Sequence, residues 1–346
     1  MYRLWLFALT TVLAAPIIAG DLGKVTILDS GPATCRAEQT PLTLSEPTRC
    51  MRLGVRCPNT LARAVTLRVT SPPDGVPRRG TVICGLGGTG EGWYEASQPA
   101  RELLDDLVAE GFRVVQRAWE EPGWFEGSSS MNDASCRYAT LITWIHQNPA
   151  LVEPGTALVV TGNSGGSAEI GYALSRWDRD QIIDLAVPTG GPPMGWVHKG
   201  CTFESDSTWA QRCNRGLDKV GVCPQGQGNH KCGYNPLQKE RIIDAAFDLS
   251  GTTPCHDGDV DVLHHNSILY PGADLDHPQT AVHFLIGEDD CGSTPALAGP
   301  YIKTLVGTSE LHSATLLAET GHTVPTDEVG ANAIFETIMA EGFFRH

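Results

Sequence analysis

Ala157-Leu158-Val159-Val160-Thr161-Gly162-Asn163-Ser164-Gly165-Gly166 is the stretch on which the rest of the chain turns. An apolar, β-branched run leads into glycine, then Asn163 and Ser164, then two more glycines. Residues 167–177 continue as a helix. The expected local structure is a strand over 157–162 with a sharp turn at Ser164. Glycines two residues on either side of the serine suit that turn, because side chains there would collide with the bend. The turn lifts the hydroxyl above the end of the strand, at a helix N-terminus that favours developing negative charge. A glycine-rich turn with a capping serine would look the same locally, so the surroundings have to decide.

Outward from this stretch, strands and helices alternate. Strands are expected at 64–69, 81–84, 112–118, 182–187, 281–287 and 314–318. Helices are expected at 98–110, at 133–147 with Asp133 as cap, at 295–305 and at 327–340, with Gly299-Pro300 kinking or splitting the third. Short apolar strands alternating with helices predict an α/β fold: a mostly parallel sheet with helices on both faces. Residues before about 62 form a Cys- and Pro-bearing stretch ahead of that alternation. Between Gly190 and about His277 the rhythm breaks. The segment 192–279 is therefore expected to be a Cys-rich insertion, since compact domains rarely hold so long a loop without staples of its own.

The chain has 346 residues, with 25 Lys+Arg against 40 Asp+Glu and a formal net charge of −15. No basic run stands out, which argues against nucleic acid and against an anionic membrane surface as partners. Residues 1–20 resemble an export signal: Arg3, an apolar run from Leu4 to Ala15, and small Ala19-Gly20 before Asp21. That run is short of the ~20 residues a spanning helix needs. The expectation is a secreted or periplasmic protein over 21–346 with no membrane anchor.

Export makes disulfides the default for the 11 cysteines, and no C-x-x-C pair suggests zinc. An odd count leaves one thiol over. Cys84, ending a very apolar strand, is either that buried thiol or a partner for Cys136. The insertion holds Cys201, Cys213, Cys223, Cys232 and Cys255, so one of these stays free or reaches outside, with Cys291 the nearest candidate by position.

Two further strand ends carry chemistry. Strand 282–286 runs into Gly287-Glu288-Asp289-Asp290, and strand 314–318 into Glu319-Thr320-Gly321-His322. In a parallel sheet the C-terminal strand ends share one edge, so Ser164, an acid and His322 can converge there. The order Ser, acid, His on these turns resembles the α/β-hydrolase family over roughly 60–190 and 280–342. The resemblance implies an α/β-hydrolase fold with Ser164 as nucleophile, His322 as base and Asp290, rather than Asp289, as the acid. It also implies an oxyanion hole built from the backbone N–H groups of Gly165 and Leu86, with Gly87 the alternative to Leu86. The loop from Gly85 to Trp93 departs from the family's common His-Gly start, having Cys84 where that histidine stands. Lids of this family usually sit where 192–279 lies, which implies that the insertion roofs the cleft.

The function expected is a secreted serine hydrolase of small or polymeric carboxylic esters that needs no cofactor and no metal. An amide or peptide hydrolase with the same triad, and a non-catalytic binding module on the same fold, are the alternatives. Cutinase-like relatives usually carry a bulky residue and Met around the serine, where Asn163 and Gly165 stand here. Asp257, Asp259 and Asp261 copy the start of a calcium loop, but Val262 and Ile268 occupy its Gly and Glu positions. Gly85-x-Gly87-x-x-Gly90 matches a dinucleotide fingerprint, with its acid, Glu120, too far downstream. Trp93, Trp119, Trp124 and Trp196, with Tyr94 and Phe125, either line the cleft or anchor its loops.

Overall fold

Successive residues of a strand point to opposite sides of a sheet, and in the central strands both sides are apolar. Val82, Val114, Val159, Leu185 and Val187 pack on one side, while Ile83, Val115, Val160 and Ala186 pack on the other. Neither face can be left to water, so helices cover both. The structure is a computed structural model describing residues 21–29, 44–202, 234–290 and 293–340 (for 293–296 the backbone only).

Nine strands form one sheet: β1 Lys24–Asp29, β2 Thr48–Arg56, β3 Arg63–Thr70, β4 Gly80–Gly85, β5 Phe112–Trp119, β6 Ala157–Asn163, β7 Leu185–Thr189, β8 Ala281–Gly287 and β9 His312–Leu317. Their order is β1-β2-β3-β5-β4-β6-β7-β8-β9. β1, β2, β3 and β5 pair antiparallel in turn, and the ladder from β5 through β9 is parallel. Helices α1 Gln98–Ala109, α2 Met131–His146, α3 Gly165–Trp177, α4 Ser293–Val306 and α5 Glu328–Ala340 flank it. Leu103, Leu104 and Leu107 of α1 share one core with Ile334 and Ile338 of α5. Tyr138 and Ile142 of α2, Ile170 and Leu174 of α3, and Leu297 and Tyr301 of α4 fill the other. The α/β-hydrolase expectation of a mostly parallel sheet with helices on both faces is met.

Four local expectations are corrected. β1 and β2 lie in the stretch where no element was expected. The helix cap at 130–133 is Ser130, whose Oγ accepts from Asp133 N at 3.0 Å, so Asp133 sits inside the first turn. The strand expected at 182–187 begins only at Leu185, because Arg179–Gln181 is a 3₁₀ turn whose Arg179 carbonyl accepts from Ile182 and Ile183. Finally, α4 is not split at Pro300: burial of Leu297, Ala298, Tyr301, Ile302 and Leu305 outweighs the lost N–H bond.

The described part of 192–279 is built of short helical segments, among them Val197–Thr202 and Val260–His265. It does not stand alone. Val197, Ile243, Phe247, Leu263 and Ile268 belong to the same core as α2 and α3. Cys201–Cys255 closes within it, and Cys57–Cys136 ties the start of the chain to α2. Cys50 is also disulfide-bonded. Cys84 is the buried free thiol among the described residues, so its alternative pairing with Cys136 is ruled out. Cys213, Cys223, Cys232 and Cys291 lie outside the described residues.

Candidate active site

Ser164 sits between β6 and α3 with φ 53° and ψ −109°, a left-handed backbone that costs a non-glycine residue energy and is held only by its surroundings. Its neighbours must be glycines. A Cβ on Gly162 would stand 2.6 Å from the Gly166 carbonyl carbon, and one on Gly166 would stand 2.5 Å from Gly85 O. Ser164 N donates to Thr189 O at 2.9 Å, which pins the turn to the end of β7. Its side chain is half-buried and makes no hydrogen bond among the described residues.

The acid and the histidine close on each other. Asp289 N donates to Thr320 O at 2.9 Å, and Glu288 N to Leu317 O at 2.8 Å, so the turn after β8 is laced to the turn after β9. His322 Nδ1 then meets Asp290 Oδ2 at 2.9 Å. Asp290 is fully buried and Asp289 exposed, which separates the two competing carboxylates. Burial opposes a charge on His322, but the hydrogen bond and the negative charge of Asp290 outweigh it and raise its pKa above the ordinary histidine value. With Nδ1 held by the carboxylate, Nε2 is the nitrogen left to accept a proton.

Asn163 joins the histidine turn to the serine turn, a role the sequence reading missed. Its buried Oδ1 accepts from Thr189 Oγ1 at 3.0 Å and from Val324 N at 3.2 Å, two residues beyond His322. Gly190 fills the gap beside them, backed onto the His322 carbonyl. Ser164 and the His322 turn are therefore neighbours through one buried amide.

A second network fixes the loop after β4. Arg117 and Glu169 form an ion pair with both side chains fully buried. Arg117 also donates to Gly90 O at 2.9 Å and to Leu86 O at 3.0 Å, and Trp119 Nε1 donates to Glu169 Oε1 at 2.7 Å. Burial pushes the Glu169 carboxyl up to about 7, against the pull of Arg117 and its hydrogen bonds. Because Glu169 rides on α3, the pair couples the helix behind Ser164 to the loop in front of it. Gly87 abuts the serine: a Cβ there would be 2.8 Å from Ser164 Cβ. Leu86 is held by its carbonyl on Arg117, and Gly165 opens α3 against Gly88. The signal for this network was an Arg inside the apolar strand 112–119 and a lone Glu on an apolar helix.

Other motifs resolve into structure. Asp259 caps the helix at 260–265, accepting from Val262 N at 3.1 Å, and Asp257 accepts from Thr253 Oγ1. The loop bearing Gly85, Gly87 and Gly90 leads to no helix until Gln98. Trp119, Trp124, Phe125 and Tyr94 are buried anchors, and Trp93 lies 3.7 Å beneath the Arg68 guanidinium.

No protein-family model and no curated protein sequence matches the chain. Solved structures do. Brefeldin A esterase, a bacterial homologue of human hormone-sensitive lipase, is similar over 87% of this chain and 78% of its own, at 15% identity and a TM-score of 0.54. A puromycin-hydrolyzing peptidase of Mycobacterium tuberculosis is similar over 88% of this chain and 40% of its own, at 13% identity and a TM-score of 0.50. The chain has the α/β-hydrolase fold.

Proposed function

We propose that the protein is a serine hydrolase of carboxylic esters. Ser164 attacks the ester carbonyl while His322 Nε2 takes the hydroxyl proton and passes it to the leaving alcohol. Asp290 holds the imidazole in the accepting tautomer and balances the imidazolium. Gly165 N–H and an N–H of the Leu86-Gly87 turn receive the oxyanion, and water then repeats the cycle on the acyl-enzyme. The observation that carries this is the buried Asp290 bonded to His322 beside a serine held at φ 53°. Esters are preferred to amides on the likeness to an esterase; the likeness to a peptidase keeps amides in the substrate panel.

The insertion 192–279 begins just past Gly190, which backs onto His322, so we place it as a lid that selects among esters. Export belongs to the same proposal: residues 1–20 read as a signal but lie outside the described residues, and the disulfides at Cys57–Cys136, Cys201–Cys255 and Cys50 suit an oxidising compartment. Among the described residues no helix is long and apolar enough to cross a membrane. The test is labelling by a serine-reactive phosphonate, with the adduct mapped by mass spectrometry, followed by esters and amides graded in acyl length. An adduct on Ser164 with turnover of esters is expected. Absence of any adduct, with no hydrolysis across the panel, would leave a binding module.

A further inference from the structure

Residues that precede parallel strands collect at the edge of the sheet opposite Ser164. Asp180 lies in the turn between α3 and β7, and Asp274 and His277 lie in the segment entering β8. One ligand atom from each of the three lies within 4.8 Å of the other two. His277 is fully buried, and neither ring nitrogen has a hydrogen-bond partner among the described residues. A neutral imidazole has one N–H and one lone pair, and leaving both unmet in the interior is costly. Its ring neighbour His312, 6.1 Å away between centroids, turns its own Nδ1 to Leu305 O.

The charges around this imidazole are one-sided. Burial raises the pKa of Asp180, and Asp274 and Asp178 raise it further. Burial lowers His277 to about 4, with Asp274 and Asp276 pulling upward and His312 adding to the fall. Arg179 lies near Asp178 and Asp180, yet its donors go to Trp177 O and Thr143 Oγ1, and Arg176 donates to Ser267 O. A buried imidazole that makes no hydrogen bond among the described residues thus stands beside two carboxylates, with one ligand atom of each within 4.8 Å of the others.

We propose that Asp180, Asp274 and His277 bind a divalent transition-metal ion, zinc by preference, which clamps the returning end of the insertion to the α3–β7 turn. One imidazole with two carboxylates suits zinc, whereas calcium and magnesium take oxygen ligands alone. Tetrahedral bonds of ~2.0 Å place ligands about 3.3 Å apart, so the side chains need only a small closure. A cleft of about 570 Å³, lined by Asp178, Asp180 and Asp274, gives the ion a route in and room for a water as fourth ligand. The backbone is already assembled: Thr280 Oγ1 donates to Asp180 O at 2.8 Å, and Asp274 N to Ser175 O at 2.9 Å. The role is structural, because the ester chemistry proposed above sits at the other edge.

Chelator-treated full chain should be titrated with zinc by calorimetry, and its melting followed with and without the metal. One equivalent is expected to bind saturably at micromolar zinc and to raise the melting temperature. Asp274→Asn, a partly exposed site that the fold can lose, should weaken binding at least about 100-fold and abolish the thermal shift. His277→Gln should do the same if it folds. His264→Gln, in the separate cluster with Trp196 and His198, should change neither. No saturable equivalent, or binding that survives Asp274→Asn or falls with His264→Gln, would overturn the proposal.

Discussion

Two histidines sit near carboxylates at opposite edges of the same sheet, and their surroundings set them apart. His322 has Asp290 bonded to one nitrogen, and its side chain is 41% exposed. His277 is fully buried with both nitrogens unmet. The first has its pKa raised by its bonded carboxylate, as the proposed base needs; the second has its pKa lowered to about 4, chiefly by burial. A carboxylate close by is common to both. What separates the proposed proton shuttle from the proposed ligand is whether that carboxylate makes the hydrogen bond and whether the ring reaches the surface.

The largest effect should come from Ser164→Ala. Hydrolysis should fall by about 10³-fold or more with circular dichroism unchanged, since only binding and oxyanion contacts remain. More than a few per cent of residual turnover would remove Ser164 from the nucleophile's role. Asp290→Asn should come next, lowering kcat by orders of magnitude, while Asp289→Asn stays near wild type because that side chain is exposed. The pH profile sharpens the contrast. His322 must be neutral to accept the serine proton, and Asp290 favours its charged form, so activity should be lost as pH falls through a midpoint above the ordinary ~6.5. In Asp290→Asn only burial is left, which disfavours the charge, and the midpoint of residual activity should move down. A midpoint that stays put in that variant would detach Asp290 from His322.

The serine edge was legible in the sequence because its signals are local. An apolar run, glycines at fixed spacing and a following helix lie within residues 157–177, and each strand end carries its own chemistry. β1 and β2 were not. β1 is an edge strand with nearly every residue exposed, and β2, paired between β1 and β3, carries Arg49, Arg52 and Arg56 among its few buried residues, which blurs its apolar alternation. The continuity of α4 is not legible because Pro300, which suggests a kink or split, is a local signal, whereas the core that holds the helix together is not. The Arg117–Glu169 pair spans 52 positions and the Asn163–Val324 bond 161, so both exist only once the sheet is assembled. The same holds for Asp180 with His277, which neither turn announces alone.

Breaking the Arg117–Glu169 pair should have an intermediate effect. Glu169→Gln leaves Arg117 charged and buried without its counter-ion, which should destabilise the fold by about 3–5 kcal/mol in denaturant titrations. Because Arg117 also holds Leu86 O and Gly90 O, the oxyanion loop should loosen. A fall in kcat of roughly tenfold with KM little changed is expected, as befits an interaction felt mainly in the transition state. Arg117→Met with Glu169→Leu should regain stability without regaining kcat. Full recovery of both would mean that the pair only fills space.

The smallest effect on catalysis should come from opening Cys201–Cys255. The bridge spans 54 positions, and its loss by Cys201→Ser with Cys255→Ser should cost about 2–4 kcal/mol, mainly by freeing the unfolded chain. It lies in a segment whose Ile243, Phe247, Leu263 and Ile268 share the core of α2 and α3, so the segment should melt with the body of the protein in one transition at a lower temperature. Turnover of a short ester should stay within about threefold, because Ser164, His322 and Asp290 are held by β6, β8 and β9 and not by this bridge. Preference between short and bulky esters should shift more than the rate on either, as a loosened lid would allow. Two separate melting transitions would show that the insertion is an autonomous unit. Unchanged selectivity would pass the choice of ester from the insertion to the loops that follow β4 and β5.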